Sequence, residues 1–337
     1  MRIEKIKTTL MCSIIALLVI ALGIGSITGY IAYDSYKNPT RALENPLQPV
    51  STDSFLPVET DADSSDPVVT LPPSNFNNMF SVLFMGYDRG PGRPVNDGVH
   101  TDVMILCSVN LKTNEINLLT IPRDTKVTVK KLDGKGKATS ILTARANTAF
   151  LYGIYGGAGI NVGASNAVDM AERLLQVPIQ NYILIDMDSV IALTQAIGGV
   201  PLTATVTIAD AGIYEGQQYN LQGDQALRYV RDRHLPGTDN SDIERTARER
   251  QFVIAAAQKM KDSGPTKVLD SLYQMTKYYT TNMTYQQLLA LASMLKNTDV
   301  SAIKTSMIDG EGDGTGAWIY DAKKLTAWRD SVYTQNN

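Results

Sequence analysis

Residues 102–122 read DVMILCSVNLKTNEINLLTIP, two apolar runs parted by the polar LKTNE. Short apolar runs of this kind, bounded by turn-forming residues, predict two buried strands joined by a tight connection. Working outward, MFSVLFMG (79–86) and YILIDM (182–187) read as further buried strands. Helical spacing of apolar residues recurs near 143–153, 165–175, 223–231 and 241–262. SVIALTQAI (189–197) predicts a helix stopped by Gly198 and Gly199, and the following VPLTATV predicts a strand. Helical patterns near 265–278, 284–296 and 321–331 and a strand at SAIKTSMI complete the chain. Strands alternating with helices in this way predict an α/β layered domain. No internal repeat interrupts the pattern.

The N-terminal part has a different character. Leu10 to Tyr33 is an uncharged, mostly apolar run of 24 residues. At 1.5 Å per residue it is long enough for a hydrocarbon core of about 30 Å. Arg2, Lys5 and Lys7 flank it on the N-terminal side. The positive-inside rule therefore puts residues 1–9 in the cytoplasm and everything after the span outside. The expectation is a single-pass cell-membrane protein with an anchor at 10–33. Residues 34–77, rich in Pro, Ser, Thr and Asp, read as a disordered acidic linker, which leaves 78–337 as one extracytoplasmic domain.

The full chain carries 31 Lys and Arg against 34 Asp and Glu. Within 78–337 the charges balance at 26 each. A neutral domain lacks the basic field that general nucleic-acid binding requires, so no nucleic-acid partner is expected. The two cysteines, Cys12 and Cys107, lie in apolar runs and offer neither a disulfide framework nor a zinc cluster.

The chemistry concentrates in two places. RYVRDRHLPGTDNSDIERTARER (228–250) holds six of the chain's fourteen arginines. Ser241-Asp-Ile-Glu244 is a capping box that predicts a helix from Asp242, on which Arg245 and Arg248 share a face. Arg231 and Arg233 end the preceding helical pattern. Converging guanidinium groups bind phosphate oxygens in paired hydrogen bonds. The alternative is a solvated face laced by Asp232, Asp242, Glu244 and Glu249. The second place is a set of strand ends: Asp88 after MFSVLFMGY, Asp102 opening the next strand and Arg123 after the third. Strand-end loops are where α/β folds place ligands, and two carboxylates suit a hard cation such as Mg²⁺. Here too the alternative is local pairing, Asp88 with Arg89 and Asp124 with Arg123.

In this order, VLFMGYD, TDVMILCSVNLKTNEINLLTIPRDT, ANTAFLYGIYGGAG, IQNYILIDMDSVIALTQAIGGV, LQGDQALRYVRDRH and SDIERTARERQF resemble the LytR-CpsA-Psr family of cell-envelope proteins. The likeness runs from about Met79 to the C-terminus. It implies a three-layer α/β/α sandwich around a central mixed sheet, preceded by one N-terminal transmembrane helix. It implies a Mg²⁺-dependent phosphotransferase that moves a glycopolymer, such as teichoic acid or capsule, from a polyprenyl-diphosphate carrier to peptidoglycan, with membrane lipid as a further partner. By position, Asp88 and Asp102 match the metal-associated aspartates. Arg123, Arg231, Arg233, Arg245 and Arg248 match the diphosphate-contacting arginines. An apolar prenyl pocket is expected between sheet and helices.

Two positions depart from the family pattern. His100 stands where an arginine is usual, at a place expected to take part in catalysis. Glu249 replaces a glutamine, which makes Gln251 the candidate for the last polar contact. Two rivals stay open: a hydrolase that passes the phosphoryl group to water, and a non-catalytic lipid-binding envelope regulator. DGEGDGTGAWIYD (309–321) imitates the start of a calcium loop, but Tyr320 takes the place of the bidentate glutamate, so a Gly-rich surface turn is expected.

Overall fold

The computed structural model describes residues 34–35, 37–43, 78–87, 98–186, 189–232, 242–263, 279–297 and 302–333. Its centre is a six-stranded mixed sheet in the order β10-β3-β2-β1-β6-β9. The strands are β1 (Met79–Tyr87), β2 (Thr101–Asn110), β3 (Ile116–Thr120), β6 (Asn181–Asp186), β9 (Tyr279–Thr281) and β10 (Lys304–Met307). The β2–β3 connection is the turn read at LKTNE, and those strands pair antiparallel, as do β1 and β2. β6 joins β1 in parallel, and β10 joins β3 in parallel.

Alternate residues of a strand face opposite sides of its sheet, and both sides here are apolar. Leu83, Met85, Met104 and Leu106 face one cluster, which includes Phe150, Val168 and Leu175 from α2 (Thr148–Ile154) and α3 (Ile160–Leu175). Phe80, Val82, Ile105 and Cys107 face the other, which includes Leu288, Leu291 and Met294 from α7 (Tyr285–Asn297). Helices therefore cover both faces, and the expected α/β domain with a central mixed sheet is present. A third cluster joins α4 (Ser189–Ile197), the β7 (Val200–Thr203) and β8 (Gln218–Leu221) hairpin, α5 (Gly223–Arg231) and α6 (Asp242–Ser263), and it meets the sheet at Val103.

The C-terminal helix α8 (Ala322–Tyr333) is fastened to the middle of the sheet through the hydroxyl of its last residue. Tyr333 is buried, and its hydroxyl lies 3.0 Å from Ser81 Oγ on β1 and 2.6 Å from Ser108 Oγ on β2. Loss of hydration pushes its phenol up to about 12, so it remains a neutral hydrogen-bonding group.

Four local features bear on the sequence expectation, three by departing from it or going beyond it and one by agreeing with it. A basic hairpin, β4 (Lys126–Leu132) with β5 (Ala138–Arg145), was not predicted, and its ladder claims residues 143–145, so the helix expected from 143 begins at Thr148. The glycines of YGIYGGAG serve packing. A Cβ on Gly153 would lie 2.6 Å from Gly163 Cα, which is why α2 and α3 approach so closely there. Within the stretch assigned to the linker, α1 (Pro39–Leu43) forms and buries Leu43 in the same cluster as α7. Residues 309–321 form β11 (Gly310–Gly312), a turn and β12 (Trp318–Tyr320), with Asp313 Oδ1 accepting from Thr315 N and Ala317 N, a surface turn as read. The expected anchor at 10–33, the rest of the linker, the helical pattern at 265–278 and Ser241 lie outside the described residues. Among the described residues no helix is long and apolar enough to cross a membrane.

Candidate functional site

Strand directions gather several predicted residues at one end of the sheet. Tyr87, the last residue of β1, pairs with Asp186 at the end of parallel β6 and with Thr101 at the start of β2. Asp102 is the second residue of β2, and Arg123 follows β3 at that same end. The ends of parallel strands form the crevice in which open α/β sheets bind ligands.

Here Arg123 Nη1 donates to Asp102 Oδ1 at 2.6 Å, a short charge-assisted bond between residues 21 apart. Its Nε donates to Asp124 Oδ2 at 3.3 Å, the weaker of the two. Asp124 Oδ1 lies 3.3 Å from Arg145 Nη1, an ion pair by distance rather than an aligned hydrogen bond. The local alternative, Arg123 with Asp124, is thus present but secondary. Backbone bonds lock the turn that carries Arg123. Asn147 N donates to Arg123 O at 3.0 Å, and Thr125 donates to Pro122 O through both its N–H and its hydroxyl. His100 is half-buried just before β2 at this end. Asp88 follows Tyr87 in sequence but lies outside the described residues.

A magnesium ion takes one or two carboxylates and fills its remaining positions with water and phosphate oxygens. Asp102 fits that donor chemistry, and it touches the arginine type that shares phosphate oxygens with such an ion. Among the described residues no group of three or more His, Cys, Asp or Glu side chains forms a protein-only metal cage.

The second arginine set lies on α5 and α6. Arg231 is the last residue of α5 and is half-buried. Arg248 is 5% exposed; its Nη1 donates to Tyr229 O at 2.9 Å and its Nη2 to Asp232 O at 2.6 Å. These carbonyls belong to the end of α5, where helix geometry leaves acceptors without intrahelical donors. Arg248 thereby holds the helix end that presents Arg231. Gln251 is similarly engaged: its Oε1 accepts from Tyr229 Oη at 2.6 Å and its Nε2 donates to Thr203 O at 2.8 Å. Both residues were expected to meet a diphosphate directly; in the fold each also braces the helical wall through these contacts, and each lines the cavity beside it. Arg245 lies in the first turns of α6, and Arg233 lies outside the described residues.

Between β7 and α6 opens a cavity of about 800 Å³. Leu202, Val206, Ile254 and Ala255 give it apolar walls, while Arg248 and Gln251 reach its lining from α6. Tyr229, fully buried behind that wall, also accepts from Thr205 N at 3.1 Å, so one hydroxyl ties α5, α6 and the chain after β7 together. Sequence reading did not single out Tyr229, Thr203 or Thr205. Two of their contacts are through backbone atoms, which carry no residue signature.

The LytR_cpsA_psr family model matches residues 52–333. A curated relative from Halalkalibacterium halodurans, named polyisoprenyl-teichoic acid–peptidoglycan teichoic acid transferase TagU, is 28% identical over 89% of this chain and 90% of its own. Among solved structures, Bacillus subtilis TagV aligns with a TM-score of 0.60 and 24% identity over 76% of this chain and 96% of its own. A structure of TagT bound to LI-WTA aligns with a TM-score of 0.57 and 18% identity over 83% of this chain and 97% of its own. With a family match over most of its length and a shared fold, the chain belongs to the LytR-CpsA-Psr family.

Proposed function

We propose that the chain is a Mg²⁺-dependent phosphotransferase that moves a glycopolymer, teichoic acid, capsule or a similar polymer, from a polyprenyl-diphosphate carrier to a peptidoglycan hydroxyl. The observation that carries this reading is an apolar cavity whose wall also bears Arg248 and Arg250. Such a cavity matches a ligand with a greasy tail and an anionic head. The names of TagU relatives and the TagT structure with LI-WTA support the substrate class. The anchor expected at 10–33 keeps the domain at the outer membrane surface, beside the lipid carrier.

In this reading the acceptor hydroxyl attacks the phosphorus that bears the glycan. The new O–P bond forms as the bond to the prenyl phosphate breaks, polyprenyl phosphate leaves, and the hydroxyl proton is released. Arg123, oriented by Asp102, and Arg231, held out by the Arg248 brace, offset charge on the diphosphate oxygens. Arg233 and Arg245 extend the clamp, and His100 takes the place of the usual arginine. Asp88 and Asp102 are the residues that would hold Mg²⁺, which when bound supplies further neutralisation of phosphate charge.

The test is incubation of the full chain with a polyprenyl-diphosphate sugar and a muropeptide, with and without a magnesium chelator. A glycan-phosphate-muropeptide adduct that requires magnesium is expected. Release of glycan phosphate alone would make the chain a hydrolase, and lipid that binds yet stays unchanged would make it a regulator. An adduct formed equally well in chelator would remove Mg²⁺ from the proposal.

A further inference from the structure

The β4–β5 hairpin concentrates positive charge. Residues 126–145 carry six bases, Lys126, Lys130, Lys131, Lys135, Lys137 and Arg145, against one acid, Asp133. Because 78–337 holds 26 of each, the rest of the domain carries twenty bases against twenty-five acids. The hairpin, a basic strip, sums to +5 and the rest of the domain to −5; Lys130 and Arg145 pair with Asp169 and Asp124 of that rest, so the exposed Lys126, Lys135 and Lys137 carry the surplus at the surface. Such separation produces a local field that the neutral total conceals.

The strip starts at the candidate site. Arg145 touches Asp124, which accepts from Arg123, and Arg145 sits directly across the ladder from Lys126. Paired residues of an antiparallel ladder point to the same face. That face carries Lys126 and Lys130 with Thr139, Ile141, Thr143 and Arg145, whereas Val127 and Val129 turn into the core. At about 3.3 Å per residue the strip leads roughly 20 Å away from Arg123.

The hairpin is braced along its length. Lys130 Nζ donates to Asp169 Oδ1 at 2.9 Å, and Lys131 lies 4.3 Å from the centre of the Tyr155 ring. At the tip, a Cβ on Gly134 would lie 2.5 Å from Gly156 O, so the two turns meet backbone to backbone. Asp133 shapes the tip by accepting from Lys135 N and Lys137 N. The side chains of Lys126, Lys135 and Lys137 are exposed along this fixed frame, with threonine hydroxyls between.

We infer that this face binds the phosphodiester backbone of the donor glycopolymer, which lies along β4–β5 as it leaves the diphosphate at Arg123. The inference rests on the proposed transferase reading and sharpens it. The preferred donor is a polyanionic glycopolymer rather than a neutral one. Regularly spaced negative charge complements the strip, and exposed hydroxyls and ammonium groups are the donors that a sugar-phosphate chain requires.

The experiment compares the full chain with Lys126→Gln/Lys135→Gln/Lys137→Gln, using lipid-free poly(glycerol phosphate) as the binding probe across a salt series. The parent is expected to bind with strong salt dependence. The triple variant should bind about tenfold more weakly and with a shallower salt slope, since three exposed ionic contacts are lost. The tip pair Lys135→Gln/Lys137→Gln should fall between, and matching thermal melts show that all three chains fold. Equal affinity in parent and triple variant overturns the inference. So does unchanged polymer binding accompanied by lost binding to phosphatidylglycerol vesicles, which would make the strip a membrane contact. In turnover, KM for a long phosphate-bearing donor should rise while a lipid-diphosphate disaccharide is used as well as before. If the parent transfers no donor, the transferase reading fails, and the binding series still decides the strip.

Discussion

Arg123 and Arg248 are two arginines of the same expected role that the fold uses differently. Arg123 stands at the end of the sheet, bonded to carboxylates on Asp102 and Asp124 and about one-fifth exposed. Arg248 stands inside the helical wall, bonded to the carbonyls of Tyr229 and Asp232. A carboxylate partner orients a guanidinium yet leaves the pair at the surface, where an anionic ligand can compete for it. Carbonyl partners at a helix end make the guanidinium part of the scaffold. Residue type and spacing predict both as ligand contacts, but their protein partners differ: carboxylates at a strand end for Arg123, helix-end carbonyls for Arg248.

The comparison breaks if the two respond alike to removal. Arg248→Ala should show the largest effect, a stability loss of about 3 kcal/mol, because two charge-assisted bonds vanish and buried carbonyls lose their donor. For a domain of this size that is a melting shift of roughly 6 to 12 °C, readable by calorimetry. Arg123→Ala should instead melt near the parent and lose about ten- to a hundredfold in kcat/KM for transfer, the kinetic equivalent of roughly 1.5 to 3 kcal/mol. A large melting shift for Arg123→Ala with unchanged kinetics would reverse the assignment.

A third group, a buried acid on α3, sharpens the contrast. On α3, Asp169 is bonded to Lys130 and through one oxygen to both Nε and Nη2 of Arg173, while Glu172 accepts from Ile179 N at 2.8 Å. Burial pushes the Glu172 carboxyl up to about 7, with the Asp169 charge adding to the push. A carboxyl raised in the fold binds its proton more tightly there than in the unfolded chain. Stability is therefore greatest below the unfolded value near 4.5 and declines as pH rises toward about 7. Glu172→Gln keeps the acceptor and removes the titration. Its unfolding free energy should exceed the parent's by about 1 to 2 kcal/mol at pH 8 and converge with it near pH 4. Parallel curves across that range would show that Glu172 does not titrate in the fold.

Tyr229→Phe should give the smallest change, about 1 kcal/mol, since one hydroxyl and its bonds to Gln251 and Thr205 are lost while the ring still fills its site. A rise in KM for the lipid donor at unchanged kcat would mark the hydroxyl as a support of the cavity wall.

The sheet was legible because β1, β2, β3 and β6 are short apolar runs between clear punctuation. The β4–β5 hairpin was not, since KVTVKKL buries only alternate residues and its outer positions are lysines. ILTARANTAF fits a helical period as well as a ladder, and pairing with β4 decides between them through Arg145. The site was half legible. Asp102 and Arg123 follow from strand ends, which sequence marks well. The work of Arg248 and Gln251 depends on acceptors at Tyr229, Asp232 and Thr203 that are mostly main-chain oxygens, identical in every residue and so silent in sequence.

The bolt that Tyr333 drives between Ser81 and Ser108 joins residues 252 and 225 positions apart. Contacts of such long range close late, after the intervening chain has collapsed. Until they do, β1 and β2 hold two serine hydroxyls in an apolar interior. The chain thus waits for the turn of helix that carries Tyr333 before β1 and β2 are comfortable, and trimming that turn would leave the finished sheet with an internal fault.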